Sequence, residues 1–431
     1  MSKKQLNEQQ KKSLSVLESR LDGRLLSYLN SCVHCGLCAD SCHYYLSDPI
    51  AKYIPGRKAA LISDIYRMYF TVSGKLIPGF FGAKKYDKGT IDELVDLAFG
   101  SCSMCGRCTV HCSIGLDIPL LVRTARSMLI EMDLVPKGLK STVDAALNSG
   151  NNMNIPRDEF VDTLQWLEED LQMEVNDKNA SIPLDKIDTK ILYTLNPREP
   201  KFFPLSISAI AKIFYAAKED WTLSTHCYDV TNYSYFMGDD KGAGELTNRH
   251  KNEVKKIGAE ILALAECGHG YRSYRWEGPR WTGEKYTFKA VSILEIIAEY
   301  IRDKKIKLDL SKITKIVTLH DPCNLVRNGG VIEEQRYILK NAVSNFVEMT
   351  PNRANNFCCG GGGGQLAMGE YAERRIKSGK IKAEQIRRTG AKVVATPCHN
   401  CIDQLMELNK EYDLKVEIKT ISEIVANSLV L

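Results

Sequence analysis

Hydrophobic positions in the first part of the chain recur with the spacing of α-helices. Leucines spaced three or four residues apart among charged residues predict a helix over residues 1 to about 29. The same periodicity predicts a helix at 54–70 and a run of helices over 119–175. The polar stretch 176–188 then predicts a boundary. We therefore expect residues 1–180 to form one helical domain.

After that boundary, short apolar runs alternate with helical patterns. Strands are predicted near 190, near 261, at 315–320 and at 392–396, and helices near 205–217, 245–260, 290–304 and 371–389. Such alternation predicts parallel sheets joined by crossover helices, with functional residues just past the strand ends. The expected fold class is thus a multi-domain α+β protein, in which a helical domain precedes an α/β part.

The α/β part shows an internal repeat. The run I-L-A-L-A-E-C-G-H-G-Y at 261–271 aligns with K-V-V-A-T-P-C-H-N-C-I at 392–402, and in both a strand leads into a cysteine-containing loop. This similarity predicts a duplication, with a first copy at 181–310 and a second at 311–431.

The two copies differ in their cysteines. Cys267 of the first copy aligns with Cys398, but Gly270 stands where the second copy has Cys401. Phe236 and Met237 replace a cysteine pair of the second copy, so the first copy is expected to have lost its cluster. Cys227 matches none of these positions, and we interpret it as a buried thiol.

Composition describes an ordinary globular protein. The 431 residues are 44% hydrophobic and 26% charged, and a net charge of +5 is spread along the chain, so nucleic acid is not an expected partner. The N-terminal sequence lacks the apolar core of a secretory signal, and no window is apolar enough to span a membrane. The expected location is cytoplasmic. Fifteen cysteines in that reducing environment favour metal binding over disulfides.

Eight cysteines form two quartets with the same spacing, C-x-x-C-x-x-C-x-x-x-C. This spacing is typical of 4Fe-4S clusters, where the fourth cysteine of a run commonly ligates the other cluster. The predicted ligands of one cubane are Cys32, Cys35, Cys38 and Cys112, and those of the other are Cys102, Cys105, Cys108 and Cys42. Zinc is the main alternative, although twin four-cysteine runs exceed what its four ligands require. The proline that commonly follows such a quartet is replaced by His43 and by Ser113.

Five further cysteines lie in the second copy. They are Cys323, the adjacent pair Cys358 and Cys359, and the C-x-x-C pair Cys398 and Cys401. Adjacent side chains diverge on a regular element, so the pair can face one centre only on a contorted backbone. The five glycines at 360–364 permit such a backbone. A thiolate-rich pocket suits a soft metal or an iron-sulfur cluster, and five thiolates are one more than an ordinary cubane uses.

These motifs resemble the heterodisulfide reductase family of CCG-domain iron-sulfur proteins, and in particular its HdrD-like, DsrK-type members. The resemblance covers essentially the whole chain and rests on the two quartets followed by C-x34-C-C-G-x37-C-x-x-C. The phrases E-C-G-H-G-Y-R, H-D-P-C-N-L-V-R-N-G-G and C-H-N-C carry the closer similarity.

The resemblance implies a third, non-cubane 4Fe-4S cluster on Cys323, Cys358, Cys359, Cys398 and Cys401, at which a disulfide of a small molecule or small protein is cleaved or formed. It also implies a partner subunit in the membrane, a b-type cytochrome that reacts with quinones, through which the chain lies on the inner face of the cytoplasmic membrane. Members with two intact motifs hold two such clusters, whereas this sequence has one.

His269 and His399 are the candidate proton donors, because each lies beside a site cysteine and has suitable basicity. Either could instead be a hydrogen-bond partner of cluster sulfur. Two other functions are considered. One is the iron-sulfur subunit of a flavin-linked glycolate- or lactate-type dehydrogenase, and the other is a pure electron relay.

Overall fold

A computed structural model describes residues 6–431 of the chain. The α-helices are α1 Glu8–Ser19, α2 Gly23–Ser31, α3 His43–Ser47, α4 Pro55–Phe70, α5 Val72–Leu76, α6 Lys88–Val95, α7 Arg107–Val110, α8 Ile118–Ile130, α9 Lys137–Ser149, α10 Arg157–Val175, α11 Arg198–Phe202, α12 Pro204–Ala217, α13 Tyr233–Met237, α14 Asp240–Ile257, α15 Gly268–Arg272, α16 Gly278–Thr282, α17 Ile293–Arg302, α18 Glu334–Ala342, α19 Ala372–Ser378, α20 Lys380–Thr389, α21 His399–Glu411 and α22 Ile421–Ser428. The strands are β1 Ile191–Tyr193, β2 Trp221–Leu223, β3 Ile261–Leu264, β4 Lys289–Ser292, β5 Ile316–Leu319, β6 Asn345–Glu348, β7 Val393–Ala395 and β8 Glu417–Lys419.

The chain forms two compact units, each assembled from separate stretches of sequence. The helical unit contains residues up to Lys140 together with Ser234–Asp239 and Phe357–Lys382. The α/β unit contains Ser141–Tyr233, Asp240–Asn356 and Ala383–Leu431. The expected fold class is confirmed. The predicted domain boundaries 1–180, 181–310 and 311–431 stay predictions, because compact units are defined by packing and not by ancestry.

Local sequence signals explain where the helices of the first unit begin. Asn7 caps α1 through its side chain, in a reciprocal pair with Gln10, and Asp22 caps α2. The single helix predicted over 1–29 is therefore two helices, because the cap at Asp22 starts a new one. Residues 1–5 of that prediction lie outside the described part of the chain. Pro55 opens α4, where its missing N–H costs no hydrogen bond.

The α/β unit contains two parallel four-stranded sheets with equivalent strand order. The first has the order β2-β1-β3-β4 and the second has the order β6-β5-β7-β8. Each sheet pairs its first strand centrally with the third, as Ile191 with Ile261 and Val317 with Val393 show. This shared topology supports the predicted duplication.

One hydrophobic core joins both copies of the α/β unit. Leu262 of β3 and Val393 of β7 belong to the same cluster of buried residues. The helices α12 and α22 pack closely against each other within this unit. The two sheets are thus parts of one folded body.

Among residues 6–431, we find no α-helix with both the length and the hydrophobicity that crossing a bilayer requires.

Candidate metal centres

The two quartet loops adopt the same backbone conformation. In the first loop, His34 has φ 55° and Gly36 has φ 83°, and at the equivalent positions Met104 has φ 53° and Gly106 has φ 76°. Left-handed residues before and after the second cysteine turn the chain sharply, and glycine adopts this conformation at little cost. The similar spacing of the quartets therefore reflects similar three-dimensional loops.

The first quartet surrounds a cavity of about 460 Å³ in the helical unit. The cysteines that line it are Cys32, Cys35, Cys38 and Cys112. The Gly56 backbone N–H at the start of α4 donates to Cys38 Sγ at 3.2 Å, which stabilises negative charge on that sulfur. A Cβ added at Gly56 would lie 3.5 Å from the same sulfur, so the helix backbone approaches the cavity closely.

The second quartet borders a smaller cavity in the same unit. The cysteines that line this cavity are Cys42, Cys102, Cys105 and Cys108. Each cavity thus has three cysteines from one run and the fourth from the other, as predicted from the spacing. Burial raises the pKa of Cys108, so this thiol would ionise in exchange for a bond to a metal and not spontaneously.

The buried side chain of Arg126 organises the surroundings of the second quartet. From α8 it donates to the carbonyl oxygens of Ala98, Cys102, Phe236 and Gly363, at 2.6–2.9 Å. Burial lowers the pKa of Arg126 to about 10, which still leaves a positive charge beside the quartet at neutral pH.

The adjacent cysteines Cys358 and Cys359 lie buried in the helical unit, at the start of the stretch that returns to it. Gly360, with φ 104°, bends the chain directly after them, and its N–H donates to Cys358 Sγ at 3.4 Å. A Cβ at Gly363 would lie 2.6 Å from the backbone carbon of Ser103. The glycine run thus permits close contact with the second quartet loop.

A hydrogen-bonded chain links Cys358 to this loop. Ser103 Oγ donates to Cys358 Sγ at 3.5 Å and lies 3.0 Å from His43 Nε2. His43 Nδ1 in turn lies 3.3 Å from the carbonyl oxygen of Ser378. The ligand atoms of His43, Cys105 and Cys358 all lie within 4.8 Å of one another. The second quartet and the cysteine pair are therefore close neighbours.

The other three cysteines of the second copy lie in the α/β unit, past the ends of its central strands. Cys323 follows β5, and Cys398 and Cys401 follow β7, all buried. Cys398 is the N-cap residue of α21. Hydrogen bonds from the Cys401 side chain and the Gly268 backbone lower the pKa of Cys398 to about 7, so its thiolate is accessible near neutral pH.

The first copy has a compact polar cluster where its cysteines would lie. Cys267 follows β3, and its sulfur is 3.4 Å from His269 Nδ1 and accepts a 3.8 Å hydrogen bond from Asn196 Nδ2. Tyr233 packs edge-on against His269, with ring centroids 5.0 Å apart. Burial lowers the pKa of His269 to about 3, so this imidazole is neutral under working conditions.

His399 has a different electrostatic environment. Its Nε2 lies 3.3 Å from a carboxylate oxygen of Glu199, and both side chains are almost fully buried. Burial acts to lower the pKa of His399, but the charge and hydrogen bond of Glu199, together with Glu266, outweigh it and raise this pKa. His399 is thus the better proton carrier of the two predicted histidines.

Several residues of these centres escape prediction from the sequence. Ser103, Arg126 and Glu199 lie in no cysteine motif, and their partners are distant in sequence. Arg198 is another example, since it follows β1 as Cys323 follows β5 and pairs with Asp403 of α21. The repeat contains a signal for it, because L-N-P-R of the first copy aligns with H-D-P-C of the second.

The side chains present fit iron-sulfur clusters. Each quartet cavity is lined by four cysteines, in loops whose left-handed residues let the sulfurs converge. Soft thiolates are the donors that such clusters prefer.

Two protein-family models match the chain. Residues 28–116 match the 4Fe-4S dicluster domain, and residues 317–406 match a cysteine-rich domain named CCG. The first match covers both quartets, and the second covers the five cysteines of the second copy.

Curated relatives are similar over most of the chain. It is 29% identical to the Hdr-like menaquinol oxidoreductase iron-sulfur subunit 2 of Archaeoglobus fulgidus, over 94% of this chain and 80% of that protein. It is 26% identical to the HdrD polypeptide of the dihydromethanophenazine:CoB–CoM heterodisulfide reductase of Methanosarcina mazei, over 97% and 98%. An EtfAB:quinone oxidoreductase of Syntrophomonas wolfei is 22% identical, over 88% and 55%. These matches confirm the predicted resemblance.

Proposed function

We propose that this chain, a heterodisulfide reductase-like iron-sulfur oxidoreductase subunit of an electron-transfer system, exchanges electrons with a thiol/disulfide substrate in its CCG domain. The clusters would supply one-electron transfers between a redox partner and the substrate, through two cubanes and one non-cubane centre. The observation that carries the proposal is the closeness of Cys105, of the second quartet, to Cys358 of the CCG motif.

The proposed ligands are the cysteines grouped by the cavities. Cys32, Cys35, Cys38 and Cys112 would hold one cubane, and Cys42, Cys102, Cys105 and Cys108 the other, which agrees with the residues that line each cavity. Cys323, Cys358, Cys359, Cys398 and Cys401 would hold the non-cubane centre.

Reduction of a disulfide consumes two electrons and up to two protons, so a proton carrier is needed near the thiolates. We assign this role to His399, because Glu199 holds its ring at 3.3 Å and stabilises the protonated form. His269 is neutral and buried against Cys267 and Tyr233, and would position the substrate by hydrogen bonding.

The test compares two cysteine variants of the anaerobically purified protein. Cys358→Ala should lose the spectral change that a thiol substrate produces in the oxidised CCG centre, while both cubanes remain. The control is Cys227→Ala, a cysteine outside every proposed centre, which should retain that change. A Cys358→Ala protein with both cubanes and full disulfide activity would contradict the proposal.

The redox partner is proposed from the relatives. The printed names of two of them include menaquinol and dihydromethanophenazine, which supports a quinone-reactive membrane subunit such as a b-type cytochrome, with this chain peripheral on the cytoplasmic side. Co-purification of a haem-containing membrane protein is the expected outcome. Co-purification of a flavoprotein in its place would favour the flavin-linked dehydrogenase.

A further inference from the structure

The helical unit has an exposed apolar surface that none of the proposed redox chemistry uses. We call it the 72–85 surface, because it comprises helix α5 and the loop that follows it. The relative exposures are 74% for Val72, 75% for Leu76, 58% for Ile77, 80% for Phe80 and 39% for Phe81. Phe80 and Phe81 contact each other edge to face, with centroids 5.1 Å apart. Isolated exposed apolar residues are common, but five within ten residues form a patch that indicates an interaction site.

The backbone of this surface is fixed by hydrogen bonds. Thr71 caps α5, and the Ala83 N–H donates to the carbonyl of Pro78 at 2.8 Å. The Lys84 N–H then donates to the Asp64 carbonyl of α4 at 3.0 Å, and Tyr86 is buried directly after it. Because both ends are anchored, the aromatic side chains are held outward by the fold.

The charges of this segment select one kind of partner. Residues 71–86 contain three lysines, Lys75, Lys84 and Lys85, and no aspartate or glutamate. An apolar wedge flanked by lysines is the arrangement that inserts into the interface of an anionic bilayer, where the lysines meet lipid phosphates and the apolar side chains enter the acyl boundary. An apolar protein surface would have no need of three lysines.

We propose that the 72–85 surface binds directly to anionic lipid bilayers. The chain would then contact the membrane itself, in addition to any contact through a membrane subunit. The proposal is independent of the chemistry assigned to the cysteines.

A consequence concerns the first quartet cavity. Gly82, which ends the aromatic part of the loop, lines this cavity, and so do the exposed side chains of Val33, Leu37 and Ile114. Lipid binding at the 72–85 surface would therefore turn the mouth of the first quartet cavity towards the bilayer surface, where a membrane-bound redox partner is accessible.

The test is flotation of the purified full chain with lipid vesicles. Vesicles of equal parts phosphatidylcholine and phosphatidylglycerol should carry the protein, and high salt should release it. Phosphatidylcholine vesicles should carry far less. Phe80→Ser/Phe81→Ser should reduce partitioning by about tenfold or more. Lys75→Gln and Lys85→Gln should each reduce it by about fivefold.

The matched control is Trp166→Ser/Met173→Ser, which removes two exposed apolar side chains from α10 and should leave partitioning unchanged. Circular dichroism establishes that all variants are folded, as expected for substitutions at exposed positions. No partitioning into anionic vesicles, or partitioning that the phenylalanine variant retains, would overturn the proposal. So would binding only to vesicles that contain a membrane protein, since that result would identify a protein partner.

Discussion

At the scale of single residues, the least predictable feature is the hydrogen-bonded chain from Ser378 through His43 and Ser103 to Cys358. No local pattern marks these residues as partners, because they lie 60 to 335 positions apart. By contrast, cysteine spacing is a local signal, and it anticipated which four sulfurs line each quartet cavity. Chemistry carried by motifs is therefore readable from sequence, whereas the side chains that support it are selected by tertiary packing.

Ser103→Ala removes the hydroxyl that donates to Cys358 Sγ. A hydrogen bond to a ligating sulfur stabilises its negative charge, so its loss should make the reduction potential of the CCG centre more negative. Redox titration followed by electron paramagnetic resonance measures this shift. Ser63→Ala is the control, since this buried hydroxyl of α4 has no hydrogen-bond partner within residues 6–431. Equal potentials in the two variants would show that Ser103 has only a packing role.

Asp229 provides a test of pH dependence away from the cysteines. Burial raises the pKa of this carboxyl from 3.8 to about 7, despite hydrogen bonds from the backbone N–H groups of Asn152 and Thr231. Between these two pKa values the folded state binds more protons than the unfolded state, so stability should fall as pH rises towards 7. Asp229→Asn should flatten this dependence of Tm, measured in the upper part of the window.

The control for this measurement is Asp220→Asn. Hydrogen bonding to Lys186 lowers the pKa of Asp220, which is mostly exposed, so this variant should retain the slope of the natural protein. A slope equally steep in Asp229→Asn would mean that other groups, such as Glu266 with its pKa also raised to about 7 by burial, dominate.

At the scale of secondary structure elements, the sequence predicted central strands and missed outer ones. The runs that became β1, β3, β5 and β7 are largely apolar because helices and neighbouring strands cover them. β6 and β8 are edge strands with exposed and half-exposed residues, so they lack this signal. The helix predicted over 371–389 is two helices, because the chain breaks between Ser378 and Lys380 at Gly379.

The exchange of fourth cysteines between the quartet loops makes a prediction at this scale. Cys112→Ser should perturb the same cluster signal as Cys32→Ser, although Cys112 belongs to the second run. Cys42→Ser should likewise perturb the signal that Cys102→Ser perturbs. Both expectations follow from which cysteines line each cavity. Electron paramagnetic resonance of the reduced variants distinguishes the two clusters, and signals grouped by run would contradict the exchange.

At the scale of the whole molecule, fold class and duplication were predictable, but the composition of the compact units was not. Periodicity identifies elements in order along the chain, and it contains no information on which distant segment packs with which. Phe357–Lys382 lies within the predicted second copy, yet it belongs to the helical unit. There Gln365 Nε2 donates to the Phe99 carbonyl, and Arg107 stacks over the Phe357 ring at 3.8 Å.

A fragment of residues 1–180 should therefore fold poorly. It lacks the Gly363 carbonyl, which accepts from the buried Arg126, and the Gln365 side chain. A buried polar group without its partner costs about 1 to 3 kcal/mol, so the fragment should be less stable than the same unit in the full chain. Thermal unfolding measures this, and a synthetic 357–382 peptide should raise the Tm. A scrambled peptide serves as control, and an equally stable fragment without any peptide would contradict the prediction.

The discontinuous helical unit also has a consequence for synthesis in the cell. About 270 residues separate Cys112 from the end of the returning segment at Lys382, and a ribosome adds roughly 5 to 20 residues per second. All eight quartet cysteines would thus emerge some 15 to 50 seconds before the segment that completes their surroundings, by the same rate. During this interval the nascent chain presents open thiols, so the order of translation favours cluster delivery before the unit closes.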